Sequence, residues 1–365
     1  MLSMHTSPLA QPGAGDSGGM NVYVRELASS LAQAGVGVDV FTRAHDPALP
    51  EVVDVEPGLR VVHVPAGPHD LAKEDLPDVV DEFADGVLAA LEAARPIALH
   101  ANYWLSGIAG HRLKHELQLP LVSTFHTLAR VKAETGDDEP ERRIQAEAEV
   151  IGCSDVITAA CPAEADDLVA HYGARRDRIE LVPPGVLHAF FSPGEQQQAR
   201  LAVDLPAEVP VLLFVGRIQP LKSLDVAVEA LADVLAVRPD AVLVVIGGAS
   251  GLEGGAEVAR IEKLAAGLGV LDHIRFVEPQ PHHMLSTWYR AADVVVVPSR
   301  SESFGLVALE AAACGISVVA TAVGGLLNIV HDGVTGHLVE GRDPARFARA
   351  LTQVIDDPAG AAGRR

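Results

Sequence analysis

The sequence predicts an α/β protein made of two doubly wound domains, and three observations carry that prediction. Short β-branched runs alternate with longer helical patterns along most of the chain, the signature of parallel βαβ units. The 365 residues, 48% of them hydrophobic, exceed what one core usually holds, so two domains of roughly 150–200 residues each are expected. Midway, "LVPPGVLHAFFSPGE" brings Pro183, Pro184, Gly185 and Pro193 together, and neither helix nor strand continues through it. The expected division is a first domain over 1–182, a hinge over 183–194 and a second domain over 195–365.

In the first half, strands are expected at 2–5, 38–41, 61–64, 97–100, 121–125, 156–159 and 179–182. Between the first two lies a helical pattern over 20–34, closed by Gly35 as a C′ residue. The second series has strands at 211–215, 241–246, 274–277, 294–297, 318–320 and 336–339. Its last helix opens at "RDPARFARAL", where Asp343 can cap and Pro344 suits the first helical position. Two such domains predict ligands in a cleft at the carboxyl ends of both sets of strands.

Composition narrows the function. Lysine and arginine total 28 against 49 acids, a net charge of −21, which disfavours nucleic acid and anionic membrane partners. Any phosphate must be held by a local basic cluster. Cys153, Cys161 and Cys314 are odd in number and lack C-x-x-C spacing, which argues against a disulfide framework or a structural zinc site and for a reducing cytoplasm. "MLSMHTSPLAQPG" has no basic n-region or apolar h-region, so it does not read as a secretory signal. The most apolar window, 316–330, is too short and too interrupted to span a bilayer.

"QPGAGDSGGMNVY" contains a literal G-x-G-x-x-G at Gly13, Gly15 and Gly18. A dinucleotide fingerprint needs its first glycine directly after the first strand and an acid at the end of the second. Here Thr6 to Pro12 intervene and the second strand ends in Thr42 and Arg43, so a nicotinamide-dependent oxidoreductase is disfavoured. Gly18 and Gly19 instead offer backbone N–H groups at a helix start, an anion or sugar site.

The second half is more specific. "FVGRIQPLKSLD" places Arg217 just past a strand and Lys222 five residues later, the pairing a diphosphate would need in an acidic chain. "PSRSESFGLVALEAAACG" sets Glu302 and Glu310 eight residues apart, with Ser303, Phe304 and Gly305 opening a helix. At 1.5 Å per residue that is roughly 12 Å of rise, on the scale of a nucleotide sugar from ribose to hexose.

"ESFGLVALEAAACG" resembles the E-x7-E motif of the retaining GT-B glycosyltransferases of family 4, and "GRIQPLK" is similar to their donor signature. "LSMHTSPLAQPGAGDSGGMNVYV", "VPAGPHDLAKEDLP", "NYWLSG", "TFHTLARVK" and "VPPGV" are similar to the actinobacterial inositol-3-phosphate N-acetylglucosaminyltransferases, which begin mycothiol synthesis. The resemblance runs along essentially the whole chain. It implies a GT-B fold of two Rossmann-like domains facing a cleft, and UDP-N-acetylglucosamine (UDP-GlcNAc) and 1D-myo-inositol 3-phosphate as substrates.

Residue by residue, the resemblance implies a donor site of Arg217, Lys222, Glu302 and Glu310, with Gln280 near the uracil and Gln11, Pro12 and Gly19 contributed by the first domain. Acceptor contacts would come from His5, Asp16, Ser17, Gly18, Gly19, Met20, Asn21, Lys73, Tyr103, Thr127 and Arg143. His126, Arg217, Lys222 and Glu302 would carry catalysis, with the leaving phosphate taking the acceptor's proton and closure about the hinge excluding water. No cofactor is needed for the chemistry. The resemblance also implies a structural Mg2+ on backbone carbonyls around Tyr289, Arg290, Ala292 and Ile316, and a homodimer.

Asn102 stands where the subgroup pattern has a histidine, and Ala160, Cys161, Leu187 and Leu327 depart from it elsewhere. The chain stops at "DDPAGAAGRR" without the further helices the resemblance would bring, so weaker domain coupling is expected. His111 and His115, at i and i+4, form a metal-type pair, but no third ligand is apparent and a solvent-facing helix is expected. His282 and His283 are expected to begin a helix. A transferase with another acceptor (a sugar phosphate, a polyol or a phosphoinositide) and a non-catalytic nucleotide-sugar-binding protein are the competing readings. The presence of both His126 and Glu302 favours catalysis.

Overall fold

The computed structural model describes residues 1–13, 15–91, 96–134, 136, 139–250 and 254–357. The chain divides into two compact units, one of Met1–Ala10 with Gly19–Pro183 and one of Gln11–Gly18 with Pro184–Arg365. The boundary at Pro183 and Pro184 lies inside the expected hinge. The difference is the glycine loop, which the sequence places in the first domain and the structure groups with the second. The expected consequence of the final "DDPAGAAGRR" falls largely on 358–365, outside the described residues.

The first unit contains strands β1 (Val38–Arg43), β2 (Val52–Glu56), β3 (Leu59–Val64), β4 (Leu99–Asn102), β5 (Leu121–Thr124), β6 (Val156–Ala159) and β7 (Ile179–Leu181). They form two runs, β1-β3-β2 and β4-β5-β6-β7. The strand expected at 2–5 is reduced to a pair of parallel bridges, from Leu2 to Phe41 on β1 and to Ala101 on β4. Those bridges join the two runs, so His5 and the residues after β4 emerge where the strand order reverses. Antiparallel β2 was not foreseen. Its "VVDVE" is an edge strand of mixed polarity and exposure, so periodicity carries little signal there.

The second unit contains β8 (Val211–Val215), β9 (Val242–Ile246), β10 (Ile274–Val277), β11 (Val294–Val297), β12 (Ser317–Thr321) and β13 (Gly336–Val339). They make one parallel sheet in the order β10-β9-β8-β11-β12-β13. Strands such as "VLLFV", "VLVVI" and "VVVV" are apolar throughout because both faces are covered. Leu212, Phe214, Val294 and Val296 enter one core layer, and Val211, Leu213, Val295 and Val297 the other, the alternation a pleated strand requires. Asp343 caps the last helix, its carboxylate accepting from Ala345 N–H at 3.0 Å. Among the described residues no helix is long and apolar enough to cross a membrane.

Candidate active site

In the second unit the strand order reverses between β8 and β11, and a crevice at their carboxyl ends is where an open α/β sheet binds ligands. Arg217 follows β8, and Glu302 follows β11. Lys222 ends the short 3-10 turn Pro220–Lys222, and its Nζ donates to Glu302 Oε2 at 2.6 Å. Ser299 Oγ donates to the same oxygen at 3.2 Å. Both members of the ion pair keep some exposure, 24% for Lys222 and 18% for Glu302, so an incoming anion can compete for the ammonium.

Helix Leu306–Ala313 starts after Gly305, whose φ of +102° lies outside helical space. Glu302 is therefore in a loop, and helical rise does not set its distance from Glu310. The loop is fixed from behind by a close backbone contact. Gly325 N–H donates to Glu302 O at 2.9 Å, and a Cβ on Gly325 would stand 2.3 Å from Phe304 O. Only glycine permits that approach. Glu310 is buried and held at both oxygens, by His282 Nε2 at 2.6 Å and Tyr289 Oη at 2.7 Å. Burial first, then the Glu310 charge, pushes the Tyr289 phenol well above its usual range, so it stays a donor.

The glycine loop closes onto this same unit. Arg217 Nη1 donates to Asp16 O at 3.4 Å and to Ser250 Oγ at 3.3 Å. A Cβ on Gly18 would lie 3.2 Å from Arg217 Nε, which explains why a side chain is absent there. Gln11 donates to Gln280 O, and Gly248 N–H donates to Gly13 O at 3.1 Å. Gln11, Pro12, Asp16, Ser17 and Gly18 therefore group with Arg217 and Gln280 in the second unit. Gly19 and Met20 open helix Gly19–Gln33 of the first unit.

In the first unit, Asn21 is buried and donates to Thr6 Oγ1 at 2.7 Å and Ser7 O at 2.6 Å. His5 and Tyr103 pack ring to ring at 4.5 Å, and the Arg143 guanidinium lies 5.0 Å from the Tyr103 ring centre. Arg143 is spoken for: Nε donates to Glu147 Oε1 at 2.7 Å, Nη1 to Glu139 at 2.9 Å and Nη2 to Thr127 O and Oγ1 at 3.0 Å. Burial works against its charge, but Tyr103, Glu147 and Glu139 outweigh burial and hold it protonated. Lys73 heads the 3-10 turn Lys73–Val79.

His126 follows β5 with φ at +63°, a left-handed conformation that costs a non-glycine residue about 1–2 kcal/mol. Its Nε2 lies 3.0 Å from Asn102 Oδ1. Asn102 turns its amide nitrogen to Leu2 O, so Oδ1 accepts and His126 carries its proton on Nε2. Burial, and secondarily His100, lowers the His126 pKa to about 3, so the ring is neutral and polarising rather than cationic.

Two family patterns divide the chain. "Glycosyl transferase 4-like domain" matches residues 18–185, and "Glycosyl transferases group 1" matches residues 195–364. A protein of Streptosporangium roseum named D-inositol 3-phosphate glycosyltransferase is 48% identical over 98% of this chain and 85% of its own length. The chain belongs to the family-4 GT-B glycosyltransferases.

A Geodermatophilus obscurus protein of the same name is 50% identical over 97% of this chain and 81% of its own. Among solved structures, a sucrose-phosphate synthase from Thermosynechococcus elongatus superposes with a TM-score of 0.92 at 34% identity, covering 100% of this chain and 90% of that one. An Anabaena HepE in complex with UDP and glucose shares the fold at a TM-score of 0.78 and 18% identity, with coverage of 100% and 91%.

Within this glycosyltransferase, sequence reasoning missed His282, the Tyr289 phenol and Ser250, which hold a motif residue from another element, and Ser299, which holds Glu302 from the same loop. Their signal was spatial. Two of the carbonyls expected to hold Mg2+ already accept hydrogen bonds within the protein. Ala292 O accepts from Gln196 at 2.9 Å, and Tyr289 O accepts from Ala292 N–H at 3.1 Å. Arg290 instead grips the hinge, donating to Ser192 O at 2.9 Å and to Phe190 O. No step below is routed through a metal.

Proposed function

We propose that this glycosyltransferase moves N-acetylglucosamine from UDP-GlcNAc to 1D-myo-inositol 3-phosphate with retention at the anomeric carbon, the first step of mycothiol biosynthesis. The observation that carries the donor half is the set of Arg217, Lys222 and Glu302 at the switch point of the second sheet, beside a clamped Glu310. The acceptor half rests on relatives 48–50% identical along the chain that are named for D-inositol 3-phosphate.

The diphosphate displaces Lys222 from Glu302, and Arg217 adds paired donors from the same sheet end. Glu310 accepts from ribose hydroxyls and Glu302, released from Lys222, from the sugar. An inositol hydroxyl attacks the anomeric carbon on the face that UDP leaves. The new C–O bond forms as the bond to the β-phosphate breaks, and the hydroxyl proton passes to a phosphate oxygen of UDP. Arg217 and Lys222 stabilise the charge that grows there. Neutral His126, fixed by Asn102, braces the sugar without adding positive charge beside an oxocarbenium-like carbon. The reaction is assigned to the cytoplasm and a homodimer is its expected assembly.

A second reading, transfer to a sugar phosphate, is favoured by the close likeness to a sucrose-phosphate synthase. UDP release from UDP-GlcNAc, measured with and without 1D-myo-inositol 3-phosphate, separates the two. Release that requires the inositol phosphate supports the proposal. Release that ignores it but responds to a sugar phosphate overturns the acceptor and keeps the donor.

A further inference from the structure

The histidine pair without a third ligand in the sequence acquires one in the fold. His111 and His115 lie on helix Tyr103–Leu117, and Cys153 is the last residue of helix Glu141–Cys153. The two helices run parallel. At their starts Arg143 stacks on Tyr103 at 5.0 Å, in the middle a Cβ on Gly107 would sit 3.0 Å from Val150, and at their ends His115 Nε2 lies 3.3 Å from Cys153 Sγ. One ligand atom from each of His111, His115 and Cys153 falls within 4.8 Å of the other two.

A tetrahedral Zn2+ with Zn–N near 2.0–2.1 Å and Zn–S near 2.3 Å separates a nitrogen from a sulfur by about 3.5 Å, close to the spacing already present. Two imidazoles and a thiolate are ligands of borderline softness, which select Zn2+ over Mg2+ or Ca2+. His115 and Cys153 stand in the last turns of their helices, with His111 one turn earlier, and the carbonyl ends of both dipoles favour a cation there. Lys114, the nearby cation, is engaged by acceptors, its Nζ donating to Cys153 O at 2.6 Å and Asp155 Oδ2 at 2.7 Å, which offsets part of its charge. Glu149 is one turn before Cys153 on the same helix face and can supply a fourth ligand, as can water.

We propose that His111, His115 and Cys153 form a structural Zn2+ site that clasps the ends of two helices whose starts present Tyr103 and Arg143. Binding exchanges the Cys153 thiol proton for the metal and releases one H+. The odd cysteine count and absent C-x-x-C spacing concealed the site, because its ligands are 38 residues apart.

The reduced full chain, titrated with Co2+ as a spectroscopic probe and then with Zn2+, tests this without reference to transferase activity. One Co2+ per chain is expected, with tetrahedral d–d bands and a thiolate-to-metal charge-transfer band, displaced by one equivalent of Zn2+. Cys153→Ser removes the charge-transfer band. His115→Ala weakens Zn2+ binding at least roughly 100-fold, since even outer-shell partners are worth about 10–100-fold. Zn2+ raises the Tm of the wild type and of His188→Ala, an exposed histidine elsewhere, but of neither ligand variant. Since His115 is exposed and Cys153 half-buried, metal-free circular dichroism and Tm should match the wild type and show that the variants fold. A wild-type chain without the charge-transfer band, or a band that survives Cys153→Ser, overturns the proposal.

Discussion

The two units treat their charges in opposite ways. In the second, Lys222 and Glu302 form a partly exposed pair that an anion can enter, and Arg217 donates to the Asp16 carbonyl and the Ser250 hydroxyl. In the first, Arg143 at 4% exposure is locked between Glu147 at 0% and Glu139 at 10%. A motif names residue types, but burial decides which of them are ready to take a ligand. By that criterion the proposed donor cations of the second unit are open to a ligand, while the proposed acceptor arginine of the first is engaged by its own unit's carboxylates.

Acid should separate the units most. Burial holds the rings of His100 and His126 at about 3, well below the ordinary 6.5, with the N-terminal charge and His100 respectively as second causes. Between pH 6.5 and 3 the unfolded chain binds protons that these folded rings refuse, so stability falls as pH drops, by an order of 4 kcal/mol per ring over the full window. Glu164, raised by burial to about 7, acts in the reverse sense between 7 and 4.5, so the loss steepens below about pH 4.5. Trp104 reports the first unit and Trp288 the second. Single-tryptophan variants should show the first unit unfolding at the higher pH; coincident transitions would erase the contrast.

Breaking the locked cluster comes next. Arg143→Ala leaves Glu147 buried and uncompensated, and should cost about 3–5 kcal/mol in a denaturation curve. Lys222→Ala should cost within about 1 kcal/mol, because both partners meet solvent. If Arg143→Met with Glu147→Leu recovers stability and also activity, Arg143 is purely architectural. Recovery of stability alone restores it to the acceptor site.

The activity assay should invert that order. Arg217→Ala or Lys222→Ala should lower the transfer rate about 10²–10³-fold, the usual value of a donor aimed at developing charge. Retention of activity within tenfold would show that the exposed pair in the second unit is no readier for a ligand than the buried one in the first.

Legibility followed the same division. Of the thirteen strands among the described residues all but β2 were foreseen, because alternation between apolar strand and helix is strong in a sheet covered on both faces. Arg217, Lys222, Glu302 and Glu310 stand out in the sequence because they lie within short linear motifs, and the Lys222–Glu302 ion pair brings two of them together. Chain order puts the loop Gln11–Gly18 in the first domain, whereas its packing against Arg217 and Gln280 groups it with the second unit. Asn102 was legible only as a departure at a histidine position; its side-chain carbonyl accepts from His126, a contact across 24 residues. His282 read only as a helix start, which it is, but its Nε2 reaches Glu310 28 residues away.

The smallest effect is the sharpest test of the clamp on Glu310. Tyr289→Phe keeps the ring in its packed position and removes only the donor to Oε2, leaving His282 on Oε1. A lost hydrogen bond to a charged acceptor is worth about 1.5–3 kcal/mol, less whatever Glu310 regains from ligand or water. If Glu310 contacts the donor's ribose, the loss appears as a rise of about tenfold in KM for UDP-GlcNAc with kcat little changed, because the ribose is bound equally in the ground and transition states. If Glu310 only joins helix Leu306–Ala313 to helix Leu285–Ala291, the loss appears in Tm and KM stays put. The first outcome makes burial compatible with ligand-readiness when the buried group is held by neutral donors; the second confines that readiness to the exposed pair.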